Sequence, residues 1–297
     1  MITPLRDRDQ LDAAGLERLL EHILAGGVNG LFILGTTGEG PSLSYRLRQE
    51  LIERVCRQVA GRVPVLVGIT DSAYMESLQV ARCAAASGAS AVVLAPPYYL
   101  PEAQPELQEY LDHLVPELPL PLFLYNMPAL TKVPFELETI RQALQDPHIV
   151  GFKDSSGDLT YFKAVAELIQ ERPDWSLLIG PEEKLLDSLR LGGHGGVSGG
   201  ANLFPKLYVN VVAAHQAGDL EGAAAWQQAI QRVSDSFYRI GKYSSSIIKG
   251  IKCALACQGI CDDFMAEPFH RFRAAERELV QARLRDMTAE LSKLNNE

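Results

Sequence analysis

The chain has 297 residues, 47% of them apolar and 22% charged, the balance of a water-soluble globular protein long enough for a large core. A net charge of −9 and a pI near 5.3 argue against nucleic-acid or anionic-membrane partners. No apolar run reaches the ~18 residues of a transmembrane helix, "MITPLRDRDQ" lacks a signal-peptide core, and five cysteines, an odd number, fit a reducing cytoplasm better than a disulfide framework.

The first element is irregular. Only Met1, Ile2 and Thr3 precede Pro4, fewer than the ~5 residues of an ordinary strand. Either "MITP" is the stub of a first strand or the natural chain begins upstream. Leu16, Leu19, Leu20, Ile23 and Leu24 then form an apolar stripe of helical period. Seven short β-rich runs follow: "VNGLFILG" at 28–35, "VPVLVGIT" at 63–70, "SAVVLAP" at 90–96, "LPLFLYNMP" at 120–128, "IVGFK" at 149–153, "SLLIG" at 176–180 and "GVSGG" at 196–200. Helical patterns separate them, such as Leu107, Tyr110, Leu111, Leu114, Val115 and Leu118. Continuous apolar strands alternating with helices predict a parallel sheet covered by helices. Counting "MITP", the expected fold is α/β, a (β/α)₈ TIM barrel over residues 1–218. An open doubly wound sheet is the alternative. Beyond residue 201 the strands stop, and helices are expected at 203–218, 220–239, 244–258 and 267–293, the last three forming a C-terminal extension over 219–297.

Two features carry candidate chemistry. "GTTGEGPS" places Gly35, Gly38 and Gly40 in the order G-x-x-G-x-G, which is neither the dinucleotide fingerprint nor a P-loop. Thr36 and Thr37, at the C-terminal end of a strand, either hold a small anion such as a carboxylate or belong to a plain turn. The second feature is "VGFKDSSGD", where Lys153 ends an apolar strand. In a barrel such positions face the active site, as does Tyr125 on the preceding strand. Among Val, Ile and Phe, burial disfavours the ammonium form, and a neutral amine attacks ketones to give a Schiff base. A nearby phenol can shuttle the proton. The competing reading is an ion pair with Asp154. Cys253, Cys257 and Cys261, at i, i+4 and i+8, are read as small apolar residues of one helix face rather than as metal ligands.

Together "GTTGEG", "PPYY", "YNMP", "GFKDSSGD" and "GGVSGGAN" resemble, in order and spacing, the dihydrodipicolinate synthase/N-acetylneuraminate lyase family over essentially the whole chain. The resemblance implies a cytoplasmic, pyruvate-dependent class I aldolase, a TIM barrel assembled as a homotetramer of tight dimers. It implies that Lys153 forms the imine with pyruvate or another 2-oxo acid, with no metal or separate cofactor, and that Tyr125 is the proton shuttle. Thr36 and Thr37 would bind the carboxylate, Thr37 relaying protons. Tyr99 would reach into a neighbouring subunit's site, and Val197 would touch pyruvate through its backbone.

The second substrate follows less directly. Dihydrodipicolinate synthases carry an arginine two residues after the "YN-x-P" proline, and here that position is Leu130. Losing such a carboxylate partner costs about 2–5 kcal/mol in a dry site. "PAL" instead resembles the sialate lyases, whose acidic pair after the strand-7 glycine matches Glu182 and Glu183 after Gly180. That pair is alternatively a solvated helix N-terminus, and a serine those lyases use is Gly199 here. Lys132, where many members have glycine, is either solvated or a replacement carboxylate contact. His194 is expected to be a loop or capping residue. The expectation is a lyase on a 2-oxo-3-deoxy sugar acid or a sialate-like acid. The alternatives are dihydrodipicolinate synthase chemistry, dehydration through the same imine, and a catalytically silent 2-oxo-acid sensor.

Overall fold

The computed structural model describes residues 1–294. Its strands are β1 (Leu5–Asp7), β2 (Gln10–Leu11), β3 (Leu31–Ile33), β4 (Val65–Gly68), β5 (Ala91–Leu94), β6 (Leu122–Asn126), β7 (Ile149–Asp154), β8 (Ser176–Ile179) and β9 (Gly195–Gly196). Its helices are α1 (Ala13–Ala25), α2 (Tyr45–Val59), α3 (Tyr74–Ala86), α4 (Gln104–Leu114), α5 (Pro128–Thr131), α6 (Leu137–Ala143), α7 (Leu159–Leu168), α8 (Leu185–Arg190), α9 (Pro205–Gln216), α10 (Leu220–Phe237), α11 (Ser246–Cys257) and α12 (Ala274–Leu294). Among the described residues no helix is long and apolar enough to cross a membrane.

The chain forms two compact units. The first comprises residues 29–35 and 48–197. Its seven strands, β3 to β9, are parallel and follow one another in chain order. Each of the seven β-rich runs overlaps one of these strands; β7 extends one residue past its expected end, to Asp154, and the last run meets its strand only at Gly196. The last is reduced to two glycines, after which Val197 N–H still donates to Ile179 O at 2.8 Å. The His194 side chain caps the edge: Leu177 N–H donates to its Nδ1 at 2.8 Å, as a neighbouring strand would accept it.

The sheet curls strongly. The Lys153 amine on β7 lies 5.0 Å from the Phe32 ring centre on β3, four places away in the sheet. In a flat sheet those strands would stand about 19 Å apart. Alternation then sorts the side chains. Ile33, Val67, Val92, Leu124, Phe152 and Leu177 point outward and are fully buried beneath helices. Phe32, Leu66, Val93, Phe123 and Tyr125 line the concave face. A bulge at Val150 matters here: Leu122 pairs with Ile149, but Phe123 pairs with Gly151. The extra residue shifts β7 by one position and turns its later side chains over.

The second unit comprises residues 1–28, 36–47 and 198 onward. Met1–Pro4 form no strand; Ile2 N–H donates to Asn202 Oδ1 at 2.9 Å and the Thr3 hydroxyl donates to Gly38 O at 2.7 Å. The first described strand is instead β1, paired antiparallel with β2. The expected C-terminal helices form, with one correction: α12 starts at Ala274, not near 267. A second correction concerns the cysteines: α11 ends at Cys257, so Cys261 lies beyond the helix. Burial holds the thiols of Cys253 and Cys261 up at about 12.

At the centre of this unit Glu39 and Lys252 form an ion pair with side-chain exposures of 3% and 0%. Glu39 Oε1 also accepts from Ala266 N–H at 2.8 Å, and Lys252 Nζ donates to Phe264 O at 2.7 Å. Burial pushes the Lys252 ammonium below the ordinary lysine range, against the pull of the Glu39 carboxylate. Removing one member strands the other's charge. Lys252→Met should therefore lower the unfolding free energy by about 3–5 kcal/mol in equilibrium urea titration, far more than an exposed lysine substitution.

Candidate active site

The concave face of the curled sheet holds the sequence-predicted pair. Tyr125 and Lys153 are direct register partners on β6 and β7. Without the Val150 bulge, Tyr125 would pair with Phe152, and the lysine would turn to the helical face. With it, Lys153 Nζ sits 3.9 Å over the centre of the Tyr125 ring. Phe32 closes the arrangement, edge-on to Tyr125 with ring centres 6.2 Å apart. Tyr125 and Lys153 are 6% and 7% exposed, so the amine is held nearly dry among three strands' side chains.

Asp154 does not take the lysine as its partner. It faces the other side of the sheet, wholly buried, and its carboxylate accepts from Asn126 Nδ2 at 2.8 Å, Ser156 N–H at 3.0 Å and the Ser156 hydroxyl at 2.9 Å. Burial holds the Asp154 carboxyl above the usual aspartate value, against those hydrogen bonds. Among the described residues Lys153 makes no ion pair.

Close packing in this sheet depends on two glycines. A Cβ on Gly151, two residues before Lys153 on the same face, would stand 2.2 Å from the Phe123 ring. A Cβ on Gly68 would stand 2.6 Å from Leu34 O. Leu34 itself has φ +59°, a left-handed conformation costly for a bulky residue. Glu39 at φ +56° and Lys132 at φ +68° share it, so three of four such non-glycine residues lie in the loops after β3 and β6. Strain of this kind gathers at functional sites.

The other predicted residues are placed as follows. Thr36 and Thr37 follow the end of β3, with Thr36 O accepting from Glu39 N–H at 3.0 Å. Tyr99 is 75% exposed in the loop after β5, and Leu130 is 52% exposed on α5. Lys132 caps α5 in its left-handed position, which accounts for the preference for glycine there. Gly180 N–H donates to Asp154 O at 2.7 Å at the end of β8. Glu182 is buried and Glu183 half-buried in the short turn that follows. Val197 is half-buried just past β9. Phe32 and the Asn126–Asp154 pair were not singled out from the sequence. Their alternation within "LFI" and "YN" was visible, but the curl and the bulge that bring them together were not.

A model of the dihydrodipicolinate synthetase family matches residues 1–287. The chain belongs to that family. A probable 2-dehydro-3-deoxy-D-pentonate aldolase of Escherichia coli (strain K12), YjhH, is 33% identical over 246 residues, covering 80% of this chain and 82% of the relative. Among solved structures, the dihydrodipicolinate synthase of Bacteroides thetaiotaomicron is 50% identical with a TM-score of 0.94, covering 96% of each chain. YagE of Escherichia coli K12, in complex with pyruvate, is 26% identical with a TM-score of 0.91, covering 97% of this chain and 96% of its own. This family member is accordingly a lyase of the pyruvate-dependent, Schiff-base class. Gly151→Ala should displace Phe123 and destabilise it by about 1–3 kcal/mol, read as a lower midpoint in thermal unfolding.

Proposed function

We propose that this chain cleaves or forms a carbon–carbon bond between pyruvate and an aldehyde through an imine on Lys153, acting on a 2-oxo-3-deoxy sugar acid or a sialate-like acid. The observation that carries the reading is the dry Lys153 amine seated 3.9 Å over Tyr125. The neutral amine adds to the C2 carbonyl, and the carbinolamine loses water to give the protonated imine. On cleavage the C4 hydroxyl gives up its proton, its oxygen forms the aldehyde carbonyl, and the C3–C4 electron pair flows into the imine, leaving an enamine. Protonation at C3 and hydrolysis return pyruvate and the free lysine. Tyr125 relays the protons of addition and dehydration. The imine supplies the electron sink.

In this reading the seven curled strands belong to an eight-stranded barrel. Thr36 and Thr37 hold the 2-oxo-acid carboxylate, and the Val197 backbone contacts pyruvate. Exposed Tyr99 serves a neighbouring subunit of a homotetramer. Gly180 and Glu183, the more accessible of the acidic pair with Glu182, meet substrate hydroxyls, while Leu130 and Lys132 select the second substrate. The five free thiols suit a cytoplasmic setting.

Borohydride reduction with pyruvate, followed by intact mass, tests the imine. The adduct should appear in the natural protein and vanish in Lys153→Ala. Tyr125→Phe, which keeps the ring under the amine, should lower turnover by about 10²-fold or more. Adduct formation by Lys153→Ala would overturn the assignment.

A second reading, condensation of pyruvate with aspartate semialdehyde, is favoured by the 50% identity to a protein named dihydrodipicolinate synthase. Leu130 weighs against it. Coupled assays decide: kcat/KM on 2-dehydro-3-deoxy acids should exceed that for the semialdehyde by at least ~10²-fold, the equivalent of about 2.7 kcal/mol. The reverse order would establish the second reading.

A further inference from the structure

The Val150 bulge leaves β7 with two candidate registers against β6, one residue apart, and only one lays Lys153 on Tyr125. Something must hold the strand tips in the shifted register. Beyond Tyr125 and Lys153 each strand has one more residue, and these are partners as well: Asn126 opposite Asp154. Their exposures are 1% and 0%, and Asn126 Nδ2 donates to Asp154 Oδ1 at 2.8 Å. Slipped by one residue, Asn126 would face Lys153 and this hydrogen bond would be lost.

The pair also reaches both flanking loops. Asn126 Oδ1 accepts from Phe135 N–H at 3.1 Å, closing the 127–135 segment that carries Leu130 and Lys132. The Tyr161 hydroxyl donates to Phe135 O at 2.5 Å from the other side. Asp154 takes both donors of Ser156 and so fixes the turn after Lys153. Phe152, flanked by Phe135 at 6.0 Å and Tyr161 at 6.4 Å between ring centres, backs the same spot.

We infer that Asn126 and Asp154 are positioning residues: their buried hydrogen bond locks the bulged register that seats the Lys153 amine on Tyr125, and it tethers the 127–135 loop. The inference rests on the imine assignment above. Neither residue touches the reacting atoms, since both lie on the opposite face of the sheet from the lysine. What the pair supplies is hydrogen-bond geometry, not charge.

The test is the rate of borohydride-trapped pyruvate adduct, with turnover and KM measured in parallel on a 2-dehydro-3-deoxy acid. Asp154→Ala should slow trapping and kcat by about 10²-fold, the cost of misplacing a reacting group by about 1 Å, while KM changes little. Asp154→Asn retains an oxygen for Asn126 and the Ser156 N–H, and its amide can donate to the Ser156 hydroxyl. It should recover rates to within about 3-fold of the natural protein. Ser156→Ala, at a less buried position that will not compromise folding, should slow trapping by about 3- to 10-fold, the loss of one ordinary hydrogen bond. Unchanged trapping in Asp154→Ala would overturn the inference, as would an Asp154→Asn as slow as Asp154→Ala. Should Asp154→Ala not fold, unchanged trapping in Ser156→Ala overturns it equally. Absence of any adduct in the natural protein defeats the imine assignment instead, so the two failures are told apart.

Discussion

The curvature of one parallel sheet governs this site. Curling places side chains from β3, β6 and β7 within one van der Waals neighbourhood, and a lysine amine held against Phe32 and Tyr125 is what results. Neither the aromatic contacts nor the exclusion of water from the amine exists in any single strand. They follow from strand twist, from alternation, and from helices covering the outer face so that only the inner one is left for chemistry.

The Val150 bulge refines this arrangement. A regular β7 would present a phenylalanine where the amine is needed. One unpaired residue near the start of the strand reverses the facing of everything after it, and glycine at 151 leaves room for Phe123 to lie beneath. Bulges beside functional groups serve in this way to re-aim a side chain. The left-handed backbone at Leu34 and Lys132 has a similar character: local conformational cost is concentrated in the segments that bound the concave face.

Much of this was legible in the sequence, for identifiable reasons. Seven apolar runs became seven strands because buried parallel strands read as continuous hydrophobic stretches. Lys153 stood out because a charged group at the end of such a run needs a reason. Tyr125 followed from its place on the strand before. The misplaced features depend on non-local geometry. "MITP" has strand-like residues, but Ile2 N–H finds a side-chain partner in Asn202, 200 positions away. Phe32 and Asn126 carry no signal until the curl and the register are known. Asp154 suggested an ion pair by adjacency, whereas alternation sends its carboxylate to the opposite face. Lys132 was marked only as a departure from glycine, and its φ of +68° gives that departure physical meaning.

The Glu39–Lys252 pair has a wider consequence. Glu39 belongs to the same turn as Thr36 and Thr37, and its carboxylate is enclosed by residues contributed from more than 200 positions downstream. A chain shortened before α11 would leave that carboxylate without its counter-ion and without its backbone donor. The terminal helices are thus not an ornament added to a finished catalytic core. Synthesis must run almost to completion before the glycine–threonine turn can settle, so a half-made polypeptide has the strands but not a settled turn after the first of them.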